Sequence, residues 1–128
     1  IPDLTRIKIA LVTAGALVPR GNPDKMARGG AKEFFRYSIA GLDTLTGDKW
    51  ESIHRGFFTD VVNENPNYIL PLNLVRELER RGEIGGIHDT FFSTSGVGTA
   101  VAYGKQMGAQ IARELKEAGV QAAIMVAT

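Results

Sequence analysis

The last third of the chain constrains the fold most, because residues 87–128 carry the pattern of a complete strand–helix–strand unit. Ile87–Ser93 is a short run rich in β-branched and aromatic residues, which predicts a strand. Ser95-Gly96-Val97-Gly98-Thr99 then predicts a turn. Val120–Ala127 is an almost unbroken apolar run, as expected of a parallel strand that is covered on both faces. Because parallel strands need a crossover connection, usually a helix, this region predicts an α/β fold.

The connection, Thr99–Ala118, predicts a long amphipathic helix. Its apolar or small residues fall three, four or seven positions apart and form one stripe, Val101, Gly104, Gly108, Ile111, Ala112 and Leu115. Gly119 suits the position just past the end of the helix. Gly104 and Gly108 are expected to let the helix pack closely on the sheet.

The first part of the chain begins with a predicted strand, Ile7–Thr13, which ends at Ala14-Gly15. The segment 15–30 is rich in loop-forming residues, and a segment this long and irregular is usually functional or mobile. Phe34–Ile39 fits either a short strand or the end of a helix, and Asp43–Phe58 leaves helix and strand both open.

A second helix is predicted from Pro71 to about Arg81, where helix-forming residues are followed by Gly82. Its apolar face would consist of Leu74, Val75 and Leu78. With the elements above, this helix predicts alternating strands and helices along the chain.

We therefore predict one α/β domain over residues 1–128. It would be a three-layer sandwich with a mainly parallel, Rossmann-like and doubly wound sheet that is incomplete at the C-terminus. The strands Ile7–Thr13, Ile87–Ser93 and Val120–Ala127 should lie parallel in that sheet. Ligands of such sheets bind outside the carboxyl ends of the strands, so Thr128 lies where chemistry is expected.

Composition excludes several classes of protein. The formal net charge of +1 provides no basic tract for a nucleic acid, and no apolar run approaches the roughly 20 residues of a membrane span. The chain has no cysteine, so it has neither disulfides nor thiolate metal sites. Ile1-Pro2-Asp3 lacks the layout of a signal peptide, and the absence of an initiator Met indicates processing or a longer parent protein. These features predict a cytoplasmic protein.

Two nucleotide-binding motifs are approached and not met. Gly96-Val97-Gly98 follows a strand and precedes a helix, but the third small residue of a dinucleotide fingerprint would fall at Val101. Thr99–Lys105 resembles a phosphate-binding loop, but Thr99 replaces its first glycine and Gln106 replaces its Ser or Thr. Neither motif supports a nucleotide cofactor.

A more general anion site remains possible at the start of the long helix. Free backbone N–H groups and the hydroxyls of Thr94, Ser95 and Thr99 suit a carboxylate or a phosphate there. The same hydroxyls would also serve as helix caps, and the residues alone leave both interpretations open. His54 and His88 lack a partner four residues away, so they make a poor metal site and are interpreted as structural or surface residues. From the residues alone, the chain is an α/β domain that binds a small anion.

Several motifs, in the same order along almost the whole chain, resemble the selenoprotein B subunit of the glycine, sarcosine and betaine reductases. More distantly, they are similar to the D-proline reductase selenoprotein. The matching segments are Val18-Pro19-Arg20-Gly21-Asn22-Pro23-Asp24, Asn65-Pro66, Leu70-Pro71, Val75-Arg76-Glu77-Leu78-Glu79, Ser93-Thr94-Ser95-Gly96-Val97-Gly98-Thr99-Ala100-Val101-Ala102 and Ile111-Ala112-Arg113-Glu114-Leu115-Lys116-Glu117-Ala118-Gly119-Val120.

The resemblance implies an oxidoreductase that reductively cleaves the C–N bond of glycine, sarcosine or betaine. It places the catalytic selenocysteine immediately after Thr128, so this fragment of a longer subunit would lack the nucleophile and be inactive alone. A UGA codon read as a stop, or a chosen domain boundary, would produce that ending. The implied partners are a subunit carrying a pyruvoyl group, selenoprotein A and a small amino-acid substrate, within an oligomer. The chain itself would hold no cofactor.

The resemblance also identifies where the chain departs from the family. Ala27-Arg28-Gly29-Gly30 replaces a serine-rich stretch, residues 54–60 differ from the usual motif, and Val97 stands where Asn is common. These loops are expected to touch the substrate or a partner subunit. The predicted substrate-binding residues are Thr94, Ser95, Gly96, Gly98, Thr99 and Thr128. The alternative is a non-catalytic domain that binds a small anion or has a regulatory role.

Overall fold

Strand β1 (Lys8–Thr13) lies inside a five-stranded sheet in a computed structural model that describes residues 3–128. Residues 1 and 2 of the predicted domain lie outside the described part. The other strands and the helices are, in chain order, β2 (Leu17–Pro19), β3 (Phe35–Ser38), β4 (Trp50–Ser52), α1 (Thr59–Glu64), α2 (Leu72–Arg80), β5 (Gly86–Ile87), β6 (Thr90–Ser93), α3 (Val101–Glu117) and β7 (Ala122–Val126). Short 3₁₀ helices span Leu4–Arg6 and Pro66–Tyr68.

The sheet is mixed and mostly parallel. β7 runs parallel along one edge of β1, from the pair Ile9 and Ala122 to the pair Thr13 and Val126. β5 and β6 run parallel along the other edge of β1, and β3 is antiparallel to β6. The predicted parallel arrangement of the three main strands is confirmed, whereas the doubly wound, Rossmann-like winding stays a prediction.

The predicted strand Ile87–Ser93 is interrupted. On β1, the residues that pair with Ile87 and Phe92 are Ile9 and Val12. Three steps along β1 therefore correspond to five steps along the neighbouring strand, and the two extra residues form a bulge. The carbonyl of Asp89 in this bulge accepts a hydrogen bond from Ile39 N at 2.7 Å. The bulge divides one predicted strand into β5 and β6.

Two buried clusters lie on opposite faces of the sheet, because successive residues of a strand point to opposite faces. Ile9 and Leu11 of β1 belong to the cluster that contains residues of α2, β2 and β4. Ala10 and Val12 belong to the cluster that contains Met107, Ile111 and Leu115 of α3, together with Phe34, Phe92, Ala31 and Val120. The expected three-layer α/β architecture is thus present.

Helix α3 matches the prediction within two residues at each end, but its buried face differs. Met107, Ile111 and Leu115 are buried, whereas Val101 is 74% exposed. A Cβ added to Gly104 or Gly108 would meet no atom within 4 Å. The prediction that these glycines allow close packing is therefore wrong for the described residues, because this part of the helix faces open space.

Helix α2 is confirmed, with one correction to its apolar face. Leu72 and Val75 are buried and Leu78 packs partly against the core, but Leu74 is 64% exposed. The two open segments both contain strands, namely β3 within 34–39 and β4 within 43–58, while α1 begins just after the second segment. Within residues 3–128, no helix is long and apolar enough to cross a membrane.

Candidate functional site

The residues that follow three parallel strands come together at the carboxyl edge of the sheet. Gly15 follows β1, Gly96 follows β6 and Thr128 follows β7. A Cβ added to Gly15 would lie 3.2 Å from Thr128 Cγ2, and one added to Gly96 would lie 4.0 Å from Thr128 Oγ1. β6 and β7 are separated by β1 in the sheet, yet the absence of side chains on these glycines lets Thr128 approach both. We call this junction the crevice.

His54 completes this crevice from outside the main sheet. Its Nε2 lies 3.1 Å from Thr128 Oγ1, and its ring packs against Phe57 with a centroid separation of 4.7 Å. The side chain is 8% exposed, and this burial lowers the pKa of the imidazole below its ordinary value, which favours the neutral form at pH 7. Its Nδ1 is buried and has no hydrogen-bond partner among the described residues. A buried polar atom without a partner is uncommon and marks a position where a ligand or water would bind.

Ser52, at the end of β4, fixes His54 relative to β1. The Ser52 hydroxyl donates to the carbonyl of Gly15 at 2.7 Å and accepts from the backbone N–H of His54 at 3.3 Å. The backbone N–H of Ser52 donates to Asn63 Oδ1 at 2.7 Å, which adds α1 to the same network. One buried hydroxyl therefore links the turn after β1 to the histidine.

A polar cavity of about 380 Å³, which we call the His54 pocket, opens beside this histidine. Glu51 accepts a hydrogen bond from Gly21 N at 2.7 Å and lies 3.5 Å from Arg20. Arg28 is exposed and makes no ion pair with any residue from 3 to 128. The lining residues are Gly21, Asn22, Arg28, Glu51, Ser52, Ile53, His54, Thr59 and Asn63.

An apolar cavity of about 330 Å³, which we call the α3–β7 groove, lies on the other side of the crevice. Facing walls include Val101, Gly104 and Gly108 of α3 on one side and Met125 and Val126 of β7 on the other. The loop 94–99 forms its polar end through Thr94, Ser95, Gly96 and Thr99. The crevice therefore has one charged neighbour and one apolar neighbour.

The hydroxyls of the predicted binding loop are used within the protein. Thr99 Oγ1 donates to Ser95 O at 2.7 Å and accepts from Ala31 N at 3.0 Å, while Thr94 Oγ1 donates to Glu33 O at 3.0 Å. The N-cap residue of α3 is Ala100, and no side-chain hydrogen bond caps the helix there. The interpretation of these hydroxyls as helix caps is therefore wrong.

The remaining groups of the loop leave the anion site open. Ser95 Oγ is buried without a partner among the described residues, and Gly98 has a φ of 68°, a conformation that favours glycine. Anion binding by Thr94, Ser95, Gly96, Gly98, Thr99 and Thr128 stays a prediction.

The three departures from the family pattern lie together at the rim of the site. Arg55 N donates to Arg28 O at 3.0 Å, which joins the loop 27–30 to the segment 54–60. A Cβ on Gly29 would lie 3.1 Å from Val97 Cγ1, and one on Gly56 would lie 3.5 Å from Val97 Cγ2. Val97 therefore packs between the other two departures.

Sequence reasoning missed His54, which it interpreted in the same way as His88. His88 is half-buried on the bulge between β5 and β6 and stacks on Phe92 with a centroid separation of 6.4 Å. No local motif distinguishes the two histidines, because the partner of His54 lies 74 residues away in the sequence. Within residues 3–128, no cluster of three or more His, Cys, Asp or Glu side chains is arranged to hold a metal ion.

Comparisons with known proteins give a consistent result. The family model described as glycine/sarcosine/betaine reductase selenoprotein B matches residues 1–128. The glycine reductase complex component B subunit gamma of Carboxydothermus hydrogenoformans is 43% identical over 128 residues, which cover 100% of this chain and 29% of that protein. The sarcosine and betaine reductase complex component B beta subunits of Peptoclostridium acidaminophilum are 38% and 39% identical over the same 128 residues, again with 100% of this chain and 29% of each relative covered. No solved structure matches the chain.

Proposed function

Because this chain belongs to the glycine/sarcosine/betaine reductase selenoprotein B family, we propose that it is part of an oxidoreductase that cleaves the C–N bond of glycine, sarcosine or betaine. The relatives are named as component B subunits of the reductase complexes for these three amino acids. The chain spans 29% of their length. The proposed activity therefore belongs to a longer protein in which this α/β domain forms one part of the reaction site.

The observation that carries the proposal is the crevice in which Thr128 meets His54, Gly15 and Gly96. The proposed nucleophile is a selenocysteine immediately after Thr128, at the carboxyl edge of the sheet where ligands of parallel sheets bind. The surroundings fit such a group, because the two glycines let the end of β7 approach the neighbouring backbone and the buried Nδ1 of His54 has no partner among the described residues. A selenolate is a soft nucleophile of low pKa, by extension of thiolate reactivity.

In the proposed transfer, the selenolate after Thr128 would form a bond to the α carbon as the bond between that carbon and the substrate nitrogen breaks. The nitrogen would leave with the bonding electron pair as ammonia or a methylamine. Selenoprotein A would then take over the carboxymethyl group by a second displacement, which releases the first selenolate. A pyruvoyl group on a partner subunit, when present, supplies activation of a primary or secondary amine as a leaving group. Betaine has a quaternary nitrogen and does not need that activation.

The residues of this chain would position the reacting groups. Burial lowers the pKa of His54, which favours its neutral form, and its Nε2 lies 3.1 Å from the Thr128 hydroxyl. This contact would fix the direction in which the chain leaves β7. Ser52 holds His54 and the turn after β1 in one network. The loop 94–99 bounds the opposite side and presents glycine backbone, which a ligand can approach closely. Together these contacts form a preorganised wall for the reaction.

The relatives' names describe components of complexes, which supports partner subunits for this chain. We propose that these are a pyruvoyl-containing subunit and selenoprotein A, in a cytoplasmic oligomer. The departures at Arg28, Val97 and residues 54–60 lie at the rim of the site, where they would contact the substrate or a partner.

The test is the codon after Thr128 and the activity of the protein that contains it. We expect UGA followed by cysteine-containing sequence, and release of ammonia from glycine, or of a methylamine from sarcosine or betaine, only by the selenium-containing protein with its partner subunits. The 128-residue chain should release none. An ordinary sense codon with unrelated following sequence would instead support a non-catalytic anion-binding domain. Ammonia release by the 128-residue chain alone would contradict the proposed nucleophile.

A further inference from the structure

We propose that the His54 pocket binds a small zwitterionic amino acid, with Arg28 as the partner of its carboxylate and Glu51 facing its ammonium group. The assignment rests on the proposed function for the identity of the ligand, and it goes further by naming the residues that recognise it. It also places the carboxylate away from the loop 94–99.

Arg28 is suited to this role because its backbone is held while its charge is free. Met26, two residues earlier, is 3% exposed in the core, and both its N–H and its carbonyl are bonded to the side chain of Asn22 at 2.9 and 3.0 Å. The carbonyl of Arg28 accepts from Arg55 N at 3.0 Å. Since its guanidinium has no ion-pair partner among residues 3–128, it can form a bidentate pair with a carboxylate.

Glu51 selects the overall charge of the ligand. Its carboxylate lines the same pocket and lies 3.5 Å from the Arg20 guanidinium, at a surface where ion pairs are weak. A dianion such as phosphate would be repelled by this negative charge, whereas the ammonium of an amino acid would be attracted. One cation and one anion in one pocket therefore match a zwitterion.

His54 connects the pocket to the crevice. Its side chain lines the pocket, while its Nε2 lies 3.1 Å from Thr128 Oγ1 on the crevice side. The imidazole is more than nine-tenths buried and its Nδ1 has no partner in the described chain. A ligand held by Arg28 and Glu51 would therefore lie on the other side of one ring from the strand end where the nucleophile is proposed.

The α3–β7 groove is a poorer site for the same ligand. Its walls are mainly apolar, and none of its lining residues carries a formal charge. Moving a carboxylate from water into such a site is costly unless the charge is paired. The threonine hydroxyls at its end are already bonded to the backbone of residues 31, 33 and 95.

The test is calorimetric titration of the 128-residue chain with two zwitterions, glycine and betaine, and with three probes that are not zwitterions. We expect glycine and betaine to bind. Glycinamide lacks the carboxylate, acetate lacks the ammonium and inorganic phosphate lacks both, so each should bind more weakly. Arg28→Gln should weaken glycine binding by about tenfold or more, as expected for a lost charge-assisted pair. Arg81→Gln removes an exposed arginine that pairs with Glu83 and does not line the pocket, so it should leave binding unchanged.

Each outcome decides the assignment. Unchanged glycine affinity in a folded Arg28→Gln chain would overturn it, as would the absence of glycine binding at tens of millimolar. If Gly98→Val lost glycine binding while Arg28→Gln kept it, the carboxylate would be assigned to the loop 94–99. If the chain binds zwitterions but no selenocysteine follows Thr128, this inference stands and the proposed function is refuted. If selenocysteine follows Thr128 but the pocket binds no zwitterion, the proposed function stands and this inference is refuted.

Discussion

The His54 pocket and the α3–β7 groove lie on either side of one crevice and differ in almost every chemical respect. The pocket contains Arg28, Glu51 and a buried histidine, and its geometry is held by the hydroxyl of Ser52. The groove contains two glycines with open space above them and an exposed Met125. The pocket is thus lined by charged and polar side chains, whereas the groove is lined mainly by apolar ones.

This difference shows why the position of a loop is a poor guide to its chemistry. The loop 94–99 lies at the carboxyl end of a strand and at the start of a helix, where anions commonly bind. Both of its threonine hydroxyls are nevertheless hydrogen-bonded to the backbone of residues 61 and 68 positions away. Polar groups without a partner among the described residues include the hydroxyl of Ser95 and, on the other side of the crevice, those of His54 and Arg28.

The largest effect is expected where the pocket meets the crevice, at Gly15. A valine there would place its Cβ 3.1 Å from Ile69 Cδ1 and 3.2 Å from both Thr13 Oγ1 and Thr128 Cγ2. Overpacking of this kind costs about 1–3 kcal/mol of unfolding free energy, and it would also displace Thr128 from His54. Denaturant unfolding should show the loss, with Gly15→Ala giving a smaller one. A Gly15→Val chain as stable as the wild type would show that the crevice yields easily.

Ser52→Ala should have the next largest effect, on the pocket side only. It removes the hydroxyl that bonds the buried carbonyl of Gly15, and leaving a buried acceptor without a partner costs about 1–3 kcal/mol. Ser38→Ala is the matched control, because that exposed hydroxyl accepts only from Ala40 N at 3.2 Å. Equal melting temperatures for the two variants would mean that the Ser52 network does not hold the pocket.

On the groove side, Gly104→Ala should stabilise the chain. The added Cβ meets nothing within 4 Å, and alanine in a helix is favoured over glycine by about 0.5–1 kcal/mol. Thermal unfolding should therefore shift upward. A destabilised Gly104→Ala chain would mean that the helix lies closer to the sheet than described, as the sequence had predicted.

The smallest effect concerns pH and again belongs to the pocket. Burial lowers the pKa of His54 below its ordinary value of 6.5. Its contribution to stability is therefore complete above about pH 6.5 and is lost as the pH falls through the folded-state pKa, because the unfolded chain binds the proton more tightly. His54→Gln should flatten this part of the stability profile. His88→Gln should flatten it as well, since burial and Lys8 lower the pKa of His88.

NMR titration of the two imidazoles separates their contributions. Each should titrate below 6.5 in the folded chain. If His54 titrated at or above 6.5, its ring would be hydrated or paired with an anion. The burial of the imidazole beside the pocket would then be wrong.

The parts of the fold that follow from the sequence are those with a continuous apolar run or a clear period. β1 and β7 were predicted from nearly unbroken apolar runs, and α3 was predicted from apolar residues at helical spacing. The bulge at His88 and Asp89 was not predicted, because it depends on how this segment pairs with β1 and not on its own composition. β4 is only three residues long, too short for any period to appear.

The same reasoning explains the uneven prediction of the site. Thr128 was placed correctly at the edge of the sheet because the direction of β7 determines it. The loops that contain Arg28 and His54 were singled out only because they depart from the family pattern, and no role was assigned to either side chain. Ser52 could not be found, because its role depends on a bond to Gly15 across 37 positions. Leu74 was predicted to be buried because of its helical spacing, but it is exposed, since no other element of the described chain covers it.

The most direct test of the account is a map of the amides that respond to glycine, measured by NMR on the isotope-labelled chain. If glycine binds in the His54 pocket, the largest shifts should occur at Gly21, Arg28, Glu51 and His54, with little change in α3. Shifts confined to Gly96–Thr99 and the first turn of α3 would contradict it and would place the carboxylate at the helix N-terminus.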